Sequence, residues 1–160
     1  MKNLKYLMIL FLLIGIDLAT KIIIEQTRFI FEIIINIISI SYIENGDTCP
    51  AILNGDYSSL VLVGCKTIML ILVLLIVFRS NGYGMIKLGL VLMLAGNLGN
   101  LINILTYDGK AIDWIVLGNY LAINLADVYL LVGICMIAYQ LISWLFAGCL
   151  TKNIKLITSH

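Results

Sequence analysis

The sequence predicts an all-α membrane protein, a four-transmembrane-helix bundle, and three observations carry that reading. Of the 160 residues, 62% are hydrophobic and only 12% charged, where a soluble domain carries about 25% charged residues. The mean hydropathy is +1.09. The apolar residues also gather in four long runs separated by polar connections, which excludes a water-soluble globular chain.

The runs at residues 4–24, 59–78, 85–105 and 128–150 each supply the roughly 20 helical residues that a hydrocarbon core requires. They define a single integral membrane domain over residues 1–160, with outer loops at 25–58 and 106–127. An even number of spans puts both termini on one side. Lys2 and Lys5 precede the first span, Arg79 and Lys87 flank the start of the third, and Lys152 and Lys155 follow the fourth, so that side is expected to be cytoplasmic. Arg28, Lys110 and Lys21 on the far side, and Lys66 inside the second span, weaken this bias without reversing it.

All nine acidic residues, Asp17, Glu25, Glu32, Glu44, Asp47, Asp56, Asp108, Asp113 and Asp127, fall in the outer loops or at the outer ends of spans. The polar chemistry is therefore expected at the outer face. A secretory signal peptide is the competing reading of the first span, but no small-residue cleavage site follows it, and Asp17 and Lys21 interrupt its end. The four cysteines show no metal-ligand spacing. Cys65, Cys135 and Cys149 lie within spans as small apolar residues, and only Cys49 faces an oxidising compartment.

The first outer loop changes character midway. "FIFEIIINIISISYI" (Phe29 to Ile43) is dense in isoleucine and partly alternating, with Ser39 and Ser41 opposite Ile38, Ile40 and Tyr42, which favours one or two strands at the membrane surface over an interfacial helix. The following "ENGDTCPAILNGDYSS" holds two Asn-Gly-Asp triplets and the only proline, and reads as a turn-rich loop. The cytoplasmic connection "RSNGYG" fits a tight helical hairpin. The second outer connection, Thr106 to Ala126, reads as a longer loop facing the first. No Walker, dinucleotide or zinc motif is present, so no cofactor, no metal and no nucleic acid is expected.

Polar residues in the apolar runs mark the candidate site. Asn97, Asn100 and Asn103 recur every three residues in "AGNLGNLINIL", a stripe on one helix face, with Gly96 and Gly99 allowing another backbone to come close. A tight helix interface is the plain reading of that stripe. Asp17 and Lys21 in "DLATK" are four apart and can pair on one helical face, at minimum as an anchor of the helix end. Asn124 and Asp127 in "NLAD" fit a cap of the fourth helix. Yet the cap, the stripe, the pair and Asp113 all lie at one depth. If Asp113 and Asp127 meet, they hold one proton between them, as in an aspartic-protease dyad: one carboxylate takes a proton from the attacking water while the other donates a hydrogen bond to the developing oxyanion.

These segments in their order resemble signal peptidase II, the bacterial lipoprotein signal peptidase: four spans, "DLATK", "YIENG" in the outer loop, "GNLGNLIN" in the third span, "AIDW" around Asp113 and "INLAD" before the fourth. The resemblance implies a membrane-embedded aspartyl endopeptidase of the bacterial cytoplasmic membrane that cleaves prolipoproteins before a lipid-modified cysteine. It implies Asp113 and Asp127 as the catalytic pair, and Asn124, Asn100, Asn45, Asp17, Lys21 and Asn103 in supporting or substrate-binding roles. The partners implied are a diacylglyceryl-modified prolipoprotein and membrane lipid, with the protein acting as a monomer, its site near the outer leaflet, and the Ile-rich strands matching a small extracytoplasmic β-cradle. The chain departs from the family where Asn103 and Ile104 replace an aspartate and an arginine, and where Asn45 continues into "GDTCPAILNGD". The alternative reading is a non-cleaving relative that binds lipidated or helical membrane segments. A small transport bundle is a third, against which the cytoplasmic half offers no polar lining. "LVGC" (Leu62 to Cys65) resembles a lipobox but lies inside the second span.

Overall fold

In a computed structural model, which describes residues 4–35, 37–45, 58–79, 84–118 and 121–158, the apolar runs are four helices and the polar connections on one side fold into a sheet. The order is α1 (Leu4–Thr27), β1 (Phe31–Ile34), β2 (Ile38–Asn45), α2 (Ser58–Arg79), α3 (Gly84–Thr106), β3 (Ala111–Leu117), β4 (Leu121–Ile123) and α4 (Leu125–Thr158). Three helical stretches, Leu4–Thr27, Gly84–Thr106 and Leu125–Ala147, are long and apolar enough to cross a membrane among the described residues, and α2 contributes the shorter apolar stretch Gly64–Ile76. A helix suits such sequence because it satisfies its own backbone groups where no water can.

Helix α3 is the centre of the bundle and packs against α1, α2 and α4. Its inner face carries Leu90, Val91, Leu94 and Ala95, which meet Leu10 of α1 and Val73 of α2 in the buried core. Outward side chains such as Phe11 (65% exposed) and Leu145 (74%) are as apolar as the core, the pattern of a surface whose solvent is not water. The close approach of α3 and α4 depends on missing side chains. A Cβ on Gly96 would strike the Ala126 carbonyl oxygen, and Cβ atoms on Gly89 and Gly133 would strike each other's carbonyl.

The sheet runs β1-β2-β3-β4 in chain order, antiparallel throughout. Of the one or two strands expected in the first outer loop, two are present, β1 and β2, and the described residues there form no interfacial helix. Residues 106–127, expected as loop, instead contain β3 and β4. "AIDWIVL" is a short apolar run rich in β-branched residues, ambiguous by pattern alone, and it becomes a strand because β2 offers a ladder to it: Ile40 pairs with Ile115, and Asn45 with Ala111. Helix α4 also runs on to Thr158, past its expected end at residue 150.

Left-handed residues turn the chain from helix to strand. Arg28 (φ 48°) ends α1, its N–H donating to Ile24 O at 2.9 Å. Asp108 (φ 49°) and Gly109 (φ 86°) end α3, with Gly109 N–H reaching back to Ile104 O at 2.9 Å. Polar contacts then tie the two exits to the sheet. Tyr107 Oη donates to Glu25 Oε2 at 2.5 Å, which pushes the Tyr107 phenol up to about 12, with burial adding to the effect. The Arg28 guanidinium lies 3.5 Å from the Tyr42 ring centre, and Lys110 Nζ pairs with Glu44 Oε2 at 3.0 Å. Hydrogen bonds from Lys110 and Tyr42 hold the Glu44 carboxyl below its ordinary value. The turn-rich segment with Cys49 and Pro50 lies outside the described residues.

Candidate active site

The site is a chain of hydrogen bonds that begins deep in α1. Asp17 and Lys21 sit one turn apart on that helix, fully buried at 0% and 1% exposure, and Lys21 Nζ donates to Asp17 Oδ2 at 2.9 Å. A buried pair is tolerable only when further hydrogen bonds support it, and here both members gain one. Asp17 Oδ1 accepts the Ala126 N–H at 2.9 Å, capping an N–H that the first turn of α4 would leave orphaned. Lys21 Nζ also donates to Asn100 Oδ1 of α3 at 3.0 Å. Gly99 makes this possible, since a Cβ there would run into the Asp17 carboxylate.

With its oxygen occupied by Lys21, Asn100 must point its amide nitrogen the other way, and Nδ2 donates to Asp127 Oδ1 at 2.8 Å. Asp127 is the third residue of α4 and forms the capping box expected from "NLAD": the Asn124 N–H donates to Asp127 Oδ2 at 3.1 Å, and the Asp127 N–H to Asn124 Oδ1 at 3.2 Å. That cap consumes the Asn124 oxygen, so its Nδ2 faces β3. There it donates to Asp113 Oδ1 at 2.6 Å and to the Ile112 carbonyl at 3.3 Å.

Asp113 is held on its other oxygen by Asn45 Nδ2 from the end of β2, at 2.9 Å. It is only 3% exposed. Burial pushes its carboxyl above the ordinary value, and the Asp127 charge pushes the same way, while the hydrogen bonds from Asn45 and Asn124 and the Lys21 charge pull back. Asn103 fixes the strand itself, its Oδ1 accepting the Ile112 N–H at 2.5 Å.

The eight residues singled out in the sequence therefore meet in one network drawn from α1, α3, α4, β2 and β3. Asn103 acts through the backbone beside Asp113 rather than on either carboxylate. Asn97, the first of the three asparagines along α3, joins none of it: its Nδ2 is buried without a hydrogen-bond partner. Sequence reasoning missed the backbone contributions of Ile112 and Ala126, which carry no side-chain signature. No three His, Cys, Asp or Glu side chains come together as a metal site among the described residues.

Known proteins resemble the chain over most of its length. The family model "Signal peptidase (SPase) II" matches residues 9–143. A lipoprotein signal peptidase of Clostridioides difficile (strain 630) is 29% identical over 133 residues, covering 80% of this chain and 88% of that protein. Two solved bacterial membrane enzymes, both determined by the in meso method, superpose with a TM-score of 0.75. One is 26% identical and covers 86% of this chain and 92% of its own; the other is 24% identical and covers 87% and 88%.

Proposed function

The chain belongs to the signal peptidase II family, and we propose that it removes signal peptides from prolipoproteins with Asp113 and Asp127 as a catalytic pair, cutting before the lipid-modified cysteine. The observation that carries this reading is Asn124, which caps α4 through Asp127 and holds Asp113 at 2.6 Å. One residue thereby holds two carboxylates from different elements, Asp113 through its side-chain amide and Asp127 through its backbone N–H.

The two aspartates are not equivalent. Asp127 stands in the first turn of α4, at the positive end of the helix dipole, where negative charge is favoured. Asp113 is the buried member, and burial favours its neutral form. In this reading Asp127 is the carboxylate that takes a proton from a water as the water oxygen attacks the scissile carbonyl. Protonated Asp113 donates its hydrogen bond to the carbonyl oxygen as charge builds there. Collapse of the tetrahedral intermediate breaks the C–N bond, and the proton gained by Asp127 passes to the departing amine, the amino group of the lipidated cysteine.

The wider reading follows from this placement. All four helices span, both termini lie in the cytoplasm, and the site opens at the outer leaflet of the bacterial membrane, where the signal peptide of a diacylglyceryl-modified prolipoprotein enters from the lipid. The protein acts as a monomer, since the network is complete within one chain.

The test is cleavage of a diacylglyceryl-modified prolipoprotein by the purified protein in detergent, read as a gel shift, against Asp113→Asn and Asp127→Asn. Cleavage by the parent alone supports the pair. Precursor bound but uncut by all three would replace the proposal with a non-cleaving binder of lipidated segments.

A further inference from the structure

Strand β2 carries an extra residue against β3. Ile40 pairs with Ile115 and Ile43 with Asp113, so Ser41 and Tyr42 stand together opposite Trp114 in a β-bulge. Cross-strand partners share a face, and neighbours along a strand alternate. Beyond the bulge, Ile43 and Asn45 therefore lie on the face of Asp113, where Asn45 Nδ2 reaches Asp113 Oδ2 at 2.9 Å. Ile40 is itself fixed between Phe31 and Ile115. In a regular ladder continued from Ile40, Tyr42 would stand opposite Asp113 and Asn45 would turn to the far face, because a one-residue slip reverses every side chain after it. The contact between Asn45 and Asp113 thus requires the bulged register.

Polar contacts on the far face hold that register. Tyr42 and Glu44 lie there side by side, with Tyr42 Oη donating to Glu44 Oε1 at 2.8 Å. The guanidinium of Arg28, the left-handed residue that ends α1, lies 3.5 Å from the Tyr42 ring centre. Lys110 Nζ, just ahead of β3, binds Glu44 Oε2 at 3.0 Å. In the regular register the Tyr42 ring would leave Arg28 for the Asp113 side.

We propose that Tyr42, clamped beneath Arg28, is a positioning residue for Asp113: it pins the bulge and so sets Asn45 on that carboxylate. A cation is attracted to an aromatic ring when it stands over the ring face, so the contact selects one orientation of Tyr42. Arg28 also belongs to the end of α1, the helix that supplies Asp17 and Lys21. The clamp therefore ties β2 to the element carrying the other end of the site. Its effect on cleavage rests on the catalytic pair proposed above, whereas its effect on Asn45 does not.

The experiment measures cleavage of the diacylglyceryl-modified prolipoprotein by the full-length protein in detergent. Tyr42→Ala and Arg28→Ala should each lower kcat about tenfold, with KM changing less. Tyr42→Phe keeps the ring under Arg28 and should stay close to the parent. Adding Tyr42→Ala to Asn45→Ala should cost nothing further, since residues that act through one another are not additive. Full kcat in Tyr42→Ala, Tyr42→Phe as poor as Tyr42→Ala, or a further tenfold loss in the double variant would each overturn the clamp. A second measurement needs no turnover. With asparagine isotopically labelled, the Asn45 side-chain amide signals are identified in NMR spectra by their loss in Asn45→Ala. In Tyr42→Ala they should move toward the position they take in Asp113→Ala, while the Asn100 and Asn103 amides stay in place and report an intact bundle. Unmoved Asn45 signals would overturn the clamp whether or not the parent cleaves. Moved signals in a protein whose parent cuts no prolipoprotein would uphold the clamp and sink the peptidase reading alone.

Discussion

Asn100 is fixed between a cation and a carboxylate: its oxygen accepts from Lys21 Nζ at 3.0 Å and its nitrogen donates to Asp127 Oδ1 at 2.8 Å. The amide cannot flip without setting N–H against ammonium and oxygen against carboxylate. A neutral side chain thereby transmits the position of the Asp17–Lys21 pair to the proposed catalytic aspartate.

Asn100→Ala removes both contacts. A hydrogen bond to a charged group is worth about 1.5–3 kcal/mol, so kcat for prolipoprotein cleavage should fall roughly 10- to 100-fold, with KM changing less. Asn100→Asp should be worse, because it sets a second carboxylate against Asp127. Equal activity of Asn100→Ala and the parent would remove Asn100 from the site.

The raised Asp113 carboxyl gives a stability prediction of opposite sign to its catalytic one. Burial, and then the Asp127 charge, push its folded value above the unfolded one, which is near 3.9. The folded state therefore binds the proton more tightly, and the ionised group costs stability as pH rises from the unfolded value through the folded one. Asp113→Asn should abolish cleavage yet raise the melting temperature at neutral pH, with the gain shrinking as pH falls toward 4. A variant less stable than the parent at every pH would contradict this.

Helix contact at the site depends on two glycines. Gly99→Ala would push into the Asp17 carboxylate and Gly96→Ala into the Ala126 carbonyl, and neither neighbour can yield, since Asp17 holds both Lys21 and Ala126. Each should cost about 1–3 kcal/mol and reduce cleavage, as read by thermal unfolding in detergent and by gel shift. Gly15→Ala, with nothing within 4 Å of the added carbon, should be neutral or gain up to about 1 kcal/mol in helix propensity.

Asn103 offers an acceptor to the Ile112 N–H, one residue before Asp113. Asn103→Leu leaves that N–H buried and unmet, a cost of about 1–3 kcal/mol, and should lower kcat by loosening β3. Asn103→Asp keeps an acceptor at the same place and should retain activity. If both variants behaved alike, the hydrogen bond to β3 would not be the reason for this residue.

Much of the site was readable because its spacings are local. The four-residue interval from Asp17 to Lys21 and the three-residue interval from Asn124 to Asp127 became the buried ion pair and the capping box directly. The asparagine stripe was legible as a face but not as three different functions. Asn100 bridges Lys21 and Asp127, Asn103 braces β3, and Asn97 keeps an unmet N–H. β3 was missed because a strand needs a partner, and that partner, β2, lies some 70 residues earlier in register, as with Ile43 and Asp113, and β4 was missed with it because β4 pairs with β3.

By itself, then, the sequence determined the helices, their approximate limits and the identity of the polar residues, because hydrophobicity and helical spacing are properties of neighbouring residues. Only the tertiary structure decided that Asn45, Asn124 and Asp113 share one cluster and which way each amide points. Those hydrogen bonds join residues 68 and 11 positions apart, and the Asn124 amide points at Asp113 because its oxygen is already bound in the helix cap.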